Sequence, residues 1–96
     1  MSTVTVVAKV VARHDAIEAV KAELLRMIEP TRKEEGCREY RLHQDNADPA
    51  VFVFYENWDS MTCLERHMDS RHFRDYVTAV GSLIAEKSVH LMTELG

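Results

Sequence analysis

Trp58 and His67 are the two residues whose side chains and positions most favour chemistry on a bound ligand. Trp58 ends a run of aromatic and β-branched residues that begins at Phe52, a composition typical of a β-strand. Asp59 or Ser60 can cap a helix directly afterwards, because their side-chain oxygens accept from amides that the first helical turn leaves unpaired. The strand and the helix should therefore bring both side chains to one pocket.

The spacing of apolar residues predicts the direction of the His67 side chain. One face of the predicted helix carries residues at i, i+3, i+6 and i+7, which are Met61, Leu64, His67 and Met68. His67 should therefore point toward the core, and its unperturbed pKa of about 6.5 suits a general base. The alternative is a hydrogen-bonded core histidine without a catalytic role, and spacing alone does not decide between the two.

Three further side chains extend the candidate site. Phe54 and Glu56 alternate with Trp58 along the strand, so all three should share one face. Glu56 would then either orient His67 or act as the base itself, while Trp58 offers a flat ring and an N–H donor to a substrate oxygen. Tyr40 can donate its hydroxyl proton to a substrate oxygen, although a strand tyrosine more often serves packing.

No metal or cofactor site is predicted. His67 and His72 are five positions apart, which is not same-face spacing on a helix, so they are not expected to form a metal pair. His72 is placed instead in the first turn of the next helix, at the mouth of the cavity or as a cap. The two cysteines, Cys37 and Cys63, lack zinc-site spacing and are expected to be reduced thiols.

Three motifs follow one another in the middle of the chain: Glu35-Gly36-Cys37-x-x-Tyr40-x-Leu42, Phe52-x-Phe54-x-Glu56-x-Trp58 and His67-x-x-Ser70-x-His72-Phe73. Together they resemble the antibiotic biosynthesis monooxygenase (ABM) domain family, with residues 1–96 as a single domain. The resemblance implies an α+β, ferredoxin-like fold with a four-stranded antiparallel sheet. It also implies that two such sheets pack face to face in a homodimer, as a dimeric α+β barrel.

The activity that the resemblance implies is a cofactor-independent monooxygenase acting on a small quinol- or anthrone-like aromatic with O₂. The residues expected to act in catalysis are His67, Trp58 and Glu56, and those expected to contact the substrate are Tyr40, Phe54, His72 and Phe73. Such a reaction asks for a base and a dry aromatic cavity, because the substrate anion itself reduces O₂.

Two other functions stay open at this point. An isomerase of a small phosphorylated carbonyl compound, of the kind found in quorum-signal breakdown, would use His67 as a proton shuttle and Arg38 or Arg41 near the phosphate. A non-enzymatic, ligand-binding stress-response dimer is the third possibility. An apolar cavity would favour a quinol, and a cationic end would favour a phosphate.

Composition excludes several classes of protein. With 96 residues the chain is one small domain, and a net charge of −4 argues against a nucleic-acid partner. No apolar run is long enough to span a bilayer, so no membrane partner is expected. The first residues lack the pattern of a secretory signal, and we therefore expect a cytoplasmic protein.

Periodicity predicts the order β-α-β-β-α-(α)-β. Strands are expected over residues 3–12, 38–45, 51–58 and 89–95. The first helix should start with a capping box of Asp15 and Glu18 and kink or end at Pro30, with Gly36 as a left-handed stop. A helix over residues 60–68 is followed by one that Ser70 caps and that runs to about Glu86.

The first strand carries valines on both faces, because Val6 and Val10 alternate with Val7 and Val11. One face needs helices to cover it, and the other needs a second layer that a chain of this length does not supply. This pattern predicts a homodimer.

Overall fold

The computed structural model describes residues 3–96, which form one sheet with three helices. The elements are β1 (Val4–Ala12), α1 (Ile17–Arg32), β2 (Cys37–Gln44), β3 (Val51–Trp58), α2 (Met61–Met68), α3 (Arg71–Val80) and β4 (Ile84–Met92). All pairings are antiparallel, and the strands lie in the order β2-β3-β1-β4. The predicted α+β, ferredoxin-like fold is confirmed.

The core lies on one face of the sheet. In the buried face, Val6 of β1 pairs with Glu56 of β3, and Val10 pairs with Phe52. Tyr40 of β2 pairs with Glu56 from the other side and is also buried. The helices complete the core with Val20, Leu24, Met27 and Leu64. Since each large apolar side chain gains roughly 1.5–3 kcal/mol on full burial, this layer is the main source of stability.

The opposite face of the sheet is only partly covered. Val7 and Val11 are half-buried there, and Val7 lies between Tyr55 and His90, both of which are exposed. The predicted homodimer, which would cover this face, stays a prediction. Within residues 3–96, no helix has the length and apolarity that crossing a membrane requires.

The first helix differs from its predicted start and passes its predicted end. Ala16 occupies the N-cap position without a side-chain hydrogen bond, and Asp15 pairs with Arg13 instead, so the capping box is wrong. The helix also continues through Pro30 and ends two residues later. Proline is tolerated there because the missing N–H costs a single hydrogen bond in the last turn.

The boundary between α3 and β4 lies earlier than predicted. The helix ends at Val80 rather than near Glu86, and β4 runs over Ile84–Met92 rather than 89–95. A tight turn, closed by the Leu83 amide on the Val80 carbonyl, reverses the chain so that Ile84 pairs with Ala12. Sheet pairing therefore outweighs the helical periodicity that Ile84 continues.

Gly36 has the left-handed backbone that was predicted, with φ of 84°. It turns the chain into β2, four residues after α1 has ended. A Cβ at this position would lie 2.3 Å from Cys63 Sγ, and the Gly36 carbonyl accepts from the Asp59 amide at 2.8 Å. The segment between α1 and β2 is thereby held against the start of α2.

Candidate active site

Trp58 and Glu56 form a buried pair on β3. The indole Nε1 of Trp58 donates to Glu56 Oε1 at 2.8 Å. Trp58 is fully buried, and Glu56 is 5% exposed, so this face of β3 carries both as predicted. The indole N–H is used inside the protein, and it is not the free donor to substrate that the sequence suggested.

His67 points into the core, as predicted from the spacing on α2. Ser60 caps this helix by accepting from the Cys63 amide, and Leu64 and His67 are the two residues of α2 that are buried. Met61 and Met68, placed on the same face by the periodicity, are exposed. A helix of eight residues is too short to bury all of the predicted stripe.

Aromatic rings surround the imidazole of His67. Its centroid lies 4.8 Å from that of Trp58, 5.2 Å from that of Phe73 and 5.6 Å from that of Tyr40. Tyr40 stacks in turn on Phe54, with centroids 4.6 Å apart. These contacts fix the plane of the ring and leave its two nitrogens in different surroundings.

Glu34 is a candidate site residue that sequence reasoning missed. Its Oε2 lies 2.7 Å from His67 Nδ1 and also 2.7 Å from His72 Nε2. Glu34 comes from the segment after α1 that Gly36 turns, and it is separated from the two histidines by 33 and 38 positions. No local periodicity connects residues so far apart, although Glu34 directly precedes the first of the three motifs.

His67 and His72 lie closer together than their spacing suggested, because they belong to different helices. The chain leaves α2 after Met68 and re-enters a helix at Arg71, so the argument from same-face spacing on one helix was wrong. Ser70 fixes this junction: its hydroxyl donates to the His67 carbonyl at 2.6 Å and accepts from the Phe73 amide. Ser70 caps α3 as predicted.

A cavity of about 300 Å³ lies between the sheet and α3. Five of the predicted site residues line it: Tyr40, Phe54, Glu56, His67 and Phe73. Trp58 packs behind His67, and within residues 3–96 neither Trp58 nor His72 belongs to the lining. The predicted contact of His72 with a substrate in this cavity is therefore not supported.

Other residues of the cavity wall were not anticipated. Met27, Tyr76, Val77 and Val89 add apolar surface, and Lys9 and Lys87 bring the only lysines among the lining residues that the structure describes. Tyr76 lies three positions after Phe73 on α3, a spacing that could have revealed it. Lys87 lies on β4, whose start was misplaced.

The two arginines considered for a phosphate lie elsewhere. Arg38 pairs with Asp59, and Arg41 pairs with Glu39 at 3.1 Å, all on the exposed rim of β2. Neither arginine is part of the cavity that His67 borders. A cationic end of that cavity would depend on Lys87, which shares the face of Val10, because Lys9 belongs to the opposite face of β1.

Burial shifts the pKa values of Glu56 and His67 in opposite directions. Desolvation raises the pKa of Glu56 to about 7; the hydrogen bond from Trp58 opposes this shift, and the charge of Glu34 adds to it. Desolvation lowers the pKa of His67, which the hydrogen bond to Glu34 opposes. Burial, with the nearby Glu56, also raises the pKa of Tyr40 above its ordinary value. The lowered pKa of His67 favours the neutral form of its ring.

The surroundings of the two ring nitrogens define what His67 can do. When Nδ1 carries the proton and donates it to Glu34, Nε2 keeps its lone pair. Among the hydrogen bonds of the described residues, the one that the His67 ring makes is through Nδ1, and the ring borders the cavity. A neutral imidazole with a carboxylate behind it and a free lone pair in front can accept a proton from a bound molecule.

Comparison with known proteins identifies relatives along most of the chain. The family model described as antibiotic biosynthesis monooxygenase matches residues 3–79. "Putative monooxygenase Rv0793" of Mycobacterium tuberculosis is 41% identical over 83 residues, which cover 86% of this chain and 81% of that protein. "Probable quinol monooxygenase YgiN" of Escherichia coli K12 is 28% identical, over 78% of this chain and 80% of its own length.

Solved structures agree with the sequence matches. PA3566 from Pseudomonas aeruginosa superposes with a TM-score of 0.96 at 30% identity, covering 100% of this chain and 97% of that one. The structure of Rv0793 gives a TM-score of 0.93 at 35% identity, with 99% and 97% covered. The family match, the identity to Rv0793 and the shared fold together show that this chain belongs to the antibiotic biosynthesis monooxygenase family.

Proposed function

We propose that this chain is a cofactor-independent monooxygenase that oxidises a small quinol- or anthrone-like aromatic with O₂, and that His67 is its general base. The observation that carries the proposal is the difference between the surroundings of the two ring nitrogens of His67. Nδ1 is hydrogen-bonded to Glu34 at 2.7 Å, the described residues give Nε2 no hydrogen bond, and the ring borders a largely apolar cavity. The names of the relatives Rv0793 and YgiN support a monooxygenase-type reaction.

The proposed reaction begins with proton removal. Nε2 of His67 takes a proton from an acidic C–H or O–H of the substrate, and the resulting anion transfers electrons to O₂. For an anthrone-like CH₂ group the balance closes without another reductant. The carbon becomes a carbonyl, one oxygen atom stays on it, the other leaves as water, and the substrate supplies all four electrons.

Glu34 is proposed to act through His67. Its carboxylate fixes the tautomer with the proton on Nδ1, and it stabilises the imidazolium that forms when Nε2 accepts the substrate proton. Because Glu34 is 16% exposed and His67 is 3% exposed, this pair is shielded from most solvent screening. Electrostatic stabilisation of the imidazolium is stronger in such surroundings than in water.

The cavity suits a compact aromatic molecule. Its volume of about 300 Å³ lies at the lower end of the range typical of small-molecule sites. Phe54, Phe73 and Tyr76 provide ring surfaces, and Met27 and Val89 extend the apolar wall. Exclusion of water there would keep the substrate anion reactive toward O₂.

Glu56 is the second candidate for the base. It lines the cavity, and its raised pKa of about 7 is suitable for proton transfer at neutral pH. One of its oxygens, however, already accepts from Trp58. Glu56 and Trp58 are therefore proposed to support the site behind His67, and Glu56 takes the role of base only if His67 proves dispensable.

The isomerase alternative retains one observation in its favour. Lys87 belongs to the cavity lining and shares the face of Val10, so it would suit the phosphate of a small phosphorylated carbonyl compound, with His67 moving the proton. Oxygen consumption separates the alternatives, because isomerisation uses no O₂. A ligand-binding stress-response dimer would turn over neither substrate. In all three cases we propose that the working form is a homodimer.

The test is an oxygen-electrode screen over quinols and anthrones, with the product analysed by mass spectrometry under ¹⁸O₂. We expect O₂ uptake that is coupled to substrate loss, with one labelled oxygen in the product. His67→Gln should abolish most of the uptake, and His43→Gln, on the exposed part of β2, should not change it. No uptake with any compound, together with turnover of a phosphorylated carbonyl compound, would replace the monooxygenase proposal by the isomerase one.

A further inference from the structure

Glu34, His67 and His72 bring three potential metal ligands to one point. His67 Nδ1, His72 Nε2 and a Glu34 oxygen all lie within 4.8 Å of one another, and the carboxylate oxygen is 2.7 Å from each nitrogen. The three residues belong to the segment before Gly36, to α2 and to α3. Their convergence is a property of the tertiary fold, since no single helix contains more than one of them.

The donor set indicates which ions would fit. Two imidazole nitrogens and one carboxylate are the ligands of His₂Glu zinc sites, and the same combination suits other divalent transition metals. Mg²⁺ and Ca²⁺ prefer oxygen ligands and would gain little from two imidazoles. The carboxylate also supplies a negative charge next to two rings that are neutral when they bind a metal.

Access to the cluster is from the protein surface beside His72. His67 is 3% exposed, Glu34 is 16% exposed, and the side chain of His72 is 27% exposed, so exposure increases toward α3. His72 also borders a surface depression of about 210 Å³ whose lining includes Glu23 and Asp75, with Arg26 paired to Glu23 at 3.7 Å. An ion could enter from this depression and keep water as its remaining ligand.

We infer that Glu34, His67 and His72 form a binding site for one divalent transition-metal ion of the Zn²⁺ type, and that the bound ion inhibits proton transfer by His67. An ion on Nδ1 moves the ring proton to Nε2, which then points a donor rather than a lone pair at the cavity. The site would therefore be inhibitory and not a cofactor site. Binding is independent of the proposed function, whereas inhibition rests on it.

Binding is tested by calorimetry on chelator-treated protein titrated with ZnCl₂. We expect one Zn²⁺ per chain and no comparable signal with MgCl₂. Glu34→Gln and His72→Gln each remove a ligand and should weaken binding at least about 100-fold, since loss of an outer-shell partner alone costs roughly 10–100-fold. His43→Gln is the matched control and should bind as the parent protein does.

Zinc bound by a cysteine is the main competing explanation. Cys37→Ser should retain full affinity, and Co²⁺ should give a visible spectrum without an intense thiolate charge-transfer band. If Glu34→Gln does not fold, His72→Gln carries the test alone, because its side chain is partly exposed. Absence of Zn²⁺ binding, or binding that survives His72→Gln and is lost in Cys37→Ser, would overturn the inference.

Inhibition is measured separately from binding. Zn²⁺ should lower O₂ uptake reversibly, a chelator should restore it, and His72→Gln, compared with its own rate without Zn²⁺, should resist inhibition. If Zn²⁺ binds and no substrate is oxidised under any condition, the metal site stands and the proposed function fails. If Zn²⁺ binds and turnover is unchanged, the inhibitory role is wrong.

Discussion

Glu34 accepts a hydrogen bond from His67 over 2.7 Å, although 33 positions separate the two residues in the sequence. This hydrogen bond fixes the orientation of the buried His67 ring. It distinguishes His67 from an ordinary core histidine, because the partner is a carboxylate and the second nitrogen borders a cavity.

Removal of the charge at Glu34 should lower activity without removing the fold. In Glu34→Gln the side chain keeps its shape but no longer stabilises the imidazolium, so we expect kcat to fall on the order of 100-fold with KM nearly unchanged. Steady-state oxygen uptake checks this, with a thermal melt as control. Parent-like kcat in a folded variant would refute the positioning role of Glu34.

Replacement of His67 separates the catalytic from the packing role. His67→Ala should lower turnover by roughly 10²- to 10⁴-fold, the usual contribution of a positioned base. It should also lower the melting temperature, since it opens a cavity among Trp58, Tyr40 and Phe73 and leaves Glu34 without one partner. A variant that melts lower yet keeps full turnover would leave Glu56 as the base to test.

Glu56 should make stability depend on pH in an unusual direction. Its folded pKa of about 7 lies above the ordinary 4.5, so its protonated form is favoured by folding. That contribution is complete below pH 4.5 and is lost as the pH rises to about 7, for a difference on the order of 3 kcal/mol.

The comparison of parent protein with Glu56→Gln isolates this effect from other groups. Tyr40, Glu34 and His67 surround Glu56 and are present in both proteins, so their contributions cancel in the comparison. Urea unfolding across this pH range should show Glu56→Gln gaining stability relative to the parent as the pH increases. A difference between the two proteins that is constant with pH would mean that Glu56 has an ordinary pKa.

Gly36 should tolerate no side chain. Gly36→Ala places a Cβ 2.3 Å from Cys63 Sγ and forces a non-glycine residue to a φ of 84°, so we expect a loss of about 2–4 kcal/mol in unfolding free energy. Cys63→Ala in the same chain should restore only a fraction of this loss, because its Cβ would still lie 2.7 Å from the added Cβ and the φ of 84° is unchanged. Gly96→Ala, where nothing lies within 4 Å, is the control.

The proposed homodimer predicts different outcomes on the two faces of β1. Val7→Lys, on the partly covered face, should give a folded monomer, whereas Val6→Lys, which is 2% exposed in the core, should prevent folding. Light scattering should report about twice the 11.1 kDa of one chain for the parent protein. A parent protein with the mass of one chain at micromolar concentration would contradict the dimer.

Local patterns were sufficient for the strand of Trp58 and the helix of His67, because alternation and helical spacing act over a few residues. They failed where two patterns overlap, as at Ile84, which continues the apolar face of α3 but belongs to β4. They also could not find Glu34, since its contact depends on the backbone turn at Gly36 and on the angle between two helices. A contact between residues so far apart produces no periodic pattern of residue types in the sequence.

The hydrogen bonds of the Ser70 hydroxyl limit insertions and deletions between α2 and α3. It spans the two residues between α2 and α3 and binds backbone on both sides, at the His67 carbonyl and the Phe73 amide. One residue inserted or deleted here would break at least one of these hydrogen bonds, change the direction in which α3 leaves the junction and carry His72 away from Glu34. Many amino acids should be tolerated at Asp69, because its side chain points to solvent and pairs with Arg74. The number of residues between α2 and α3 should not vary.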